Sequence, residues 1–261
     1  MVLSDGIACD GFIWKYLWDD LAKLAPVVHW NYRGHGRSGA PADPKRIELL
    51  DHARDLDTVR STVDDPPVVL FGHSMGCQVS LEAYRLRPEK VRGLVLICGA
   101  SGRVTHTFRG TDVLAQILPR IIERVEAHPD IVRALWGRVP TEAAVRIAIL
   151  TGDVDRSIRP EDLMPYLKHM GDIDVPMFLR MLLSAGEHSA ADLLPNIDVP
   201  VLVIAGDRDT FTPPRYAEEM AAAIPKSELL MVAGGTHAVP IERPELVRDR
   251  IQRFLRDRVG V

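Results

Sequence analysis

Cysteine is scarce, with three residues in 261 (Cys9, Cys77 and Cys98), and their spacing matches neither C-x-x-C nor any Cys/His metal set. An odd, sparse set fits reduced thiols in a cytoplasmic protein and excludes a disulfide-built scaffold. A basic excess is also missing: the formal charge is -4 and the isoelectric point about 6.1, so no cationic field is available for nucleic acid or an acidic membrane surface. No apolar run approaches the roughly 20 residues that cross a bilayer. The N-terminus lacks the basic segment and apolar stretch of a secretory signal. No internal repeat or low-complexity tract occurs. Hydrophobic residues nevertheless make up 46% of the chain, enough for a large core without staples.

Short apolar runs alternate with helical patterns, which predicts an α/β fold with a mostly parallel central sheet flanked by helices. The strand candidates are Met1–Leu3, Pro26–Trp30, Pro67–Phe71, Val91–Cys98, Val199–Ala205 and Ser227–Val232. Val68-Val69-Leu70-Phe71 and Val201-Leu202-Val203-Ile204 carry no polar alternation, as expected of strands covered on both faces. Helical patterns fall at Trp14–Leu24, Pro44–Thr62, Met75–Leu86, Pro213–Ala223 and Pro244–Arg258. From Gly102 to about Pro195 no strand is evident, only apolar helical pieces punctuated by Pro119, Pro129, Pro140, Pro160, Pro165 and Pro176. This divides the chain into a first core part, residues 1–101, a helical insertion, 102–195, and a second core part, 196–261.

The strongest chemical signal is Gly72-His73-Ser74-Met75-Gly76, between a buried strand and an amphipathic helix. A serine on such a turn is held in strained geometry, and the flanking glycines leave room for the neighbouring backbone. Its hydroxyl needs a base, and the base an orienting acid. Of nine histidines, His237 lies in Gly234-Gly235-Thr236-His237, between the last strand and the last helix. His73 adjoins the serine and is expected to pack locally, pointing away from the hydroxyl. The loop Gly206-Asp207-Arg208-Asp209 supplies two carboxylates. Asp209 has the reach to orient His237, whereas Asp207 suits its own turn or a pair with Arg208.

The order Ser74, Asp209, His237, with G-x-S-x-G and the G-x-x-D loop, resembles the α/β-hydrolase superfamily over nearly the whole chain. Asn31-Tyr32-Arg33-Gly34-His35-Gly36-Arg37-Ser38 is similar to that family's D-x-R-G-x-G-x-S turn. The resemblance implies an eight-stranded sheet with a helical cap inserted after the sixth strand. This chain begins at the strand leading into the oxyanion loop, so the first two strands are absent or lie upstream. That loop reads Ser4-Asp5-Gly6-Ile7 where the family opens with His-Gly, and the implied oxyanion donors are the backbone amides of Ile7 and Met75. The implied activity is cleavage of a small apolar carboxylic ester through an acyl-enzyme, with no metal or organic cofactor. Hydrolysis of C–C bonds, lactones or thioesters, perhydrolysis, and a non-catalytic small-molecule receptor are the alternatives.

Other patterns carry less. Gly34-His35-Gly36-Arg37-Ser38-Gly39 formally matches a dinucleotide fingerprint, but Ala40-Pro41-Ala42-Asp43-Pro44 cannot open the helix that motif requires. Met164, Met170, Met177 and Met181 read as core filler or an adaptable pocket lining.

Overall fold

The computed structural model describes residues 1–106, 108–136 and 141–261, so Pro140 lies outside the described residues. Six strands form one fully parallel sheet: β1 Val2–Ser4, β2 Val28–His29, β3 Val68–His73, β4 Val91–Ile97, β5 Val201–Gly206 and β6 Ser227–Val232. Their order is β2-β1-β3-β4-β5-β6. All six residues of β3 and of β5 are buried, because helices cover both faces. Side chains alternate between two cores. Val2, Leu70, Leu94, Leu96 and Val203 face one, and Leu3, Phe71, Val95, Ile97 and Ile204 face the other.

The core helices are α1 Trp18–Leu24, α2 Leu49–Ser61 and α3 Met75–Leu86, followed by the insertion helices α4 Val113–Ala127, α5 Pro129–Trp136, α6 Thr141–Thr151, α7 Pro160–Asp172 and α8 Val175–Glu187. After the insertion come α9 Pro214–Ala223, α10 Val239–Glu242 and α11 Pro244–Phe254. A 3-10 turn at Phe12–Trp14 takes the first residue of the first predicted helix and a turn follows over residues 15–17, so α1 starts at Trp18, later than Trp14. The second starts at Leu49, not Pro44. Asp43 takes the Lys45 amide into a turn, and Glu48 with Asp51 forms the true capping box. A π-helical turn, Leu255–Val259, ends the last. Pro119 and Pro165 sit inside α4 and α7 without ending them, whereas Pro129, Pro160 and Pro176 occupy first turns, where a missing amide costs nothing. No described helix is long and apolar enough to cross a membrane.

Between β4 and β5 the described residues form only helices and turns, apart from a single bridge between Gly102 and Ser189. Asp162 of α7, almost fully buried, accepts from Lys15 Nζ at 2.6 Å and Tyr16 Oη at 2.8 Å. These bonds tie the insertion to the segment that follows β1. Gln78 of α3 donates to the Ala185 carbonyl of α8 at 2.8 Å, a second tie.

The parallel order has one consequence for chemistry. The loops after β1, β3, β5 and β6 all leave the same edge of the sheet, and the chain reverses direction of travel between β1 and β3. Ligands of open α/β sheets bind outside the carboxyl ends of the strands at such a switch point.

Candidate active site

Ser74 sits between β3 and α3 at φ 55° and ψ -120°, a left-handed conformation that L-residues adopt at a cost of about 1–3 kcal/mol. Both flanking glycines are sterically required. A Cβ on Gly72 would lie 2.3 Å from the Gly76 carbonyl oxygen, and one on Gly76 would lie 2.2 Å from that of Ser4. The Ser74 amide donates to Ile97 O at 2.9 Å, which fixes the turn to β4. Met75 then opens α3, whose N-terminus carries partial positive charge.

The loop after β1 lies against this turn, since a Cβ on Gly6 would be 3.1 Å from the Ser74 Cβ. Among the described residues no protein acceptor takes the amide of Ile7 or of Met75. Asp5 is buried with both oxygens engaged: Trp14 Nε1 donates to Oδ1 at 2.7 Å, and His29 Nε2 lies 2.8 Å from Oδ2. His35, from the N-Y-R-G-H-G-R-S segment, accepts the Ala8 amide at 3.1 Å through Nε2, while its Nδ1 donates to Arg33 O at 3.0 Å. That segment therefore braces the loop beside the serine. It opens no helix, since α2 begins only at Leu49, and the dinucleotide fingerprint is formal only.

Asp209 and His237 meet. His237 Nδ1 lies 2.8 Å from Asp209 Oδ2, while Oδ1 accepts the amides of Phe211 and Thr212, each at 2.9 Å. Thr212 Oγ1 sits 2.8 Å from Oδ2 and 2.9 Å from Cys98 O, and its single proton serves one of them. Burial alone would raise the Asp209 pKa. The charge of His237 and the hydrogen bonds from His237 and Thr212 outweigh it and hold the carboxyl below its usual value. Asp207 is exposed and does not reach His237. Its Oδ1 accepts the Gly234 amide at 2.8 Å, so it ties the acid loop to the histidine loop instead of closing its own turn. Arg208 reaches towards Asp155 at 3.9 Å, not Asp207.

His73 is buried and does more than fill space. Its Nε2 donates to the His237 carbonyl at 2.9 Å, its ring lies 5.0 Å from the His237 ring, and its Nδ1 has no partner among the described residues. Burial first, then the neighbouring His237, push its pKa down to about 3. Sequence reasoning missed this link, because nothing local marks a contact across 164 positions. The three thiols are poor nucleophiles. Burial raises all of them, Cys77 to about 12.

The buried histidines predict acid sensitivity. His52 has no hydrogen-bond partner on either ring nitrogen among the described residues, and burial lowers its pKa to about 4. In the unfolded chain both it and His73 titrate near ~6.5. The unfolded state therefore binds more protons below that pH, so stability is fully present above ~6.5 and declines as pH falls towards 4. Each imidazole should remove about 2 kcal/mol by pH 5. Denaturant melts of His52→Asn should show a pH 7-to-5 loss smaller than that of the parent by about this amount. Identical losses would contradict the assignment.

A parallel sheet with a strained serine turn and a histidine held by a buried carboxylate at its carboxyl edge defines the class of α/β hydrolases. The model of the alpha/beta hydrolase family matches residues 6–250, and the chain belongs to that family. A Rhizobium rhizogenes protein carrying the provisional name carbamate hydrolase RutD is 25% identical over 264 residues, covering 100% of this chain and 94% of its own. A pimeloyl-[acyl-carrier protein] methyl ester esterase of Neisseria meningitidis serogroup C is 30% identical, covering 91% of this chain and 89% of its own. Among solved structures, a thermophilic esterase from Thermogutta terrifontis superposes with a TM-score of 0.74 at 25% identity, covering 99% of this chain and 89% of its own.

Proposed function

We propose that this protein hydrolyses a carboxylic ester through an acyl-enzyme on Ser74. The observation that carries the reading is the 2.8 Å contact between His237 Nδ1 and the buried Asp209, at the sheet edge where Ser74 occupies its strained turn. With Nδ1 committed to Asp209, His237 Nε2 takes the Ser74 proton as Oγ attacks the ester carbonyl. The amides of Ile7 and Met75 receive the developing oxyanion, a role that needs no side chain and so tolerates Asp5 in the loop. The tetrahedral adduct collapses, and His237 returns the proton to the departing alkoxide. A water deprotonated by His237 then attacks the acyl-enzyme, and Ser74 recovers its proton as the carboxylic acid leaves.

The substrate in this reading is small and apolar. The Phe211 ring lies 5.1 Å from that of His237, and Phe108 of the insertion packs on Phe211 at 5.3 Å. This supports an insertion, residues 102–195, that caps the site and shapes the acyl pocket. The unpaired, buried cysteines support a cytoplasmic setting. The esterase names among the relatives support ester cleavage, and the same groups could serve the lactone, thioester and C–C alternatives. Purified protein should turn over p-nitrophenyl acetate and butyrate, with rates that depend on acyl length. Absence of turnover across esters, lactones and thioesters would instead support a non-catalytic receptor.

A further inference from the structure

The turn between α6 and α7, residues 153–157, belongs to the insertion yet is bonded to the neighbours of both Asp209 and His237. On the acid side, Asp153 Oδ1 accepts from Thr210 Oγ1 at 3.1 Å, and the same carboxylate pairs with Arg109 at 2.6 Å. Arg109 in turn donates its amide to Thr210 O at 2.9 Å. On the base side, the Asp155 amide donates to Glu242 Oε1 at 2.7 Å. Glu242, nearly buried, also accepts from Thr236 Oγ1 at 2.6 Å and from the Thr236 amide at 2.9 Å. Arg243 adds a bond to Ser157 Oγ at 2.8 Å. Thr210 follows Asp209 in the chain, and Thr236 precedes His237.

We propose that this turn clamps the acid and base loops together, with Glu242 and Asp153 as positioning residues that set the His237–Asp209 contact through Thr236 and Thr210. The assignment rests on the triad reading above. Its consequence is that the seating of the insertion governs the chemical step as well as substrate access. All three groups bonded to Glu242 are donors, so only an acceptor-only carboxylate satisfies them. A glutamine, whichever way its amide lies, sets its NH2 against a backbone N–H.

Glu242→Gln and Thr210→Val test the clamp, with Thr210→Ser as the conservative control that keeps the hydroxyl. The expected result is a kcat on p-nitrophenyl acetate lowered by about 10-fold for Glu242→Gln and about 3-fold for Thr210→Val, with KM within about 2-fold. His237 acts as a base only when deprotonated, so kcat/KM is expected to rise with pH. A loosened His237–Asp209 contact stabilises the imidazolium less, and that rising limb should move to lower pH in both. Thr210→Ser should restore kcat and the limb. Wild-type kcat and an unmoved limb in folded Glu242→Gln and Thr210→Val, while Ser74→Ala is inactive, would overturn the clamp and leave the triad standing. An active Ser74→Ala would overturn the triad itself. Should Glu242→Gln fail to fold, Thr210→Val, which deletes one partly exposed hydroxyl, decides alone.

Discussion

Replacing Ser74 with alanine should lower kcat by about 10³-fold or more while leaving the fold intact. The expectation follows from the backbone. A φ of 55° at this residue is strain that a serine turn carries to lift its hydroxyl over the sheet edge, and alanine tolerates the same conformation about as well. The Gly72 and Gly76 contacts are unchanged by the substitution, so thermal stability should stay close to that of the parent. Equal activity in a well-folded alanine variant would remove the nucleophile and, with it, the acyl-enzyme.

The two carboxylates of the loop after β5 should separate cleanly. An amide at Asp209 would keep the shape but hold His237 in the wrong tautomer, a loss of order 10⁴ in the serine protease that defines this effect. Asp209→Asn should cost at least ~10²-fold in kcat, discounting for the different fold. Asp207→Asn keeps the oxygen that accepts the Gly234 amide and should stay within about 3-fold of the parent. Asp207→Ala removes that acceptor and should cost about 1 kcal/mol of stability. Measuring kcat and Tm for the three variants checks the assignment. An inactive Asp207→Asn beside a working Asp209→Asn would reverse it.

Much of this edge was legible in the chain because its constraints are local. Val68–Phe71 and Val201–Ile204 lack polar alternation, as strands buried on both faces do, and the spacing of Gly72 and Gly76 answers to backbone atoms that a Cβ would strike. Asp209 and His237 were legible from their places after successive strands, and they meet at 2.8 Å. What was not legible depends on distant partners. Pro44 suits a helix start, yet Asp43 captures the Lys45 amide first. Glu242 reads as an ordinary residue before a helix, and its meaning arises only when Asp155, 87 positions away, comes to rest on it. His73 was expected merely to pack, and its bond to the His237 carbonyl adds a brace that no motif announces. The exchange of partners by Asp207 is of the same kind. Its side chain chose the neighbouring loop because the sheet brings Gly234 beside it.

The most direct test is to treat the protein with a fluorophosphonate and locate the adduct by peptide mass mapping. A single stoichiometric adduct on Ser74 is expected, lost in Ser74→Ala and formed much more slowly when His237 is replaced by alanine. An unlabelled protein that still hydrolyses esters, or an adduct on another residue, would contradict it.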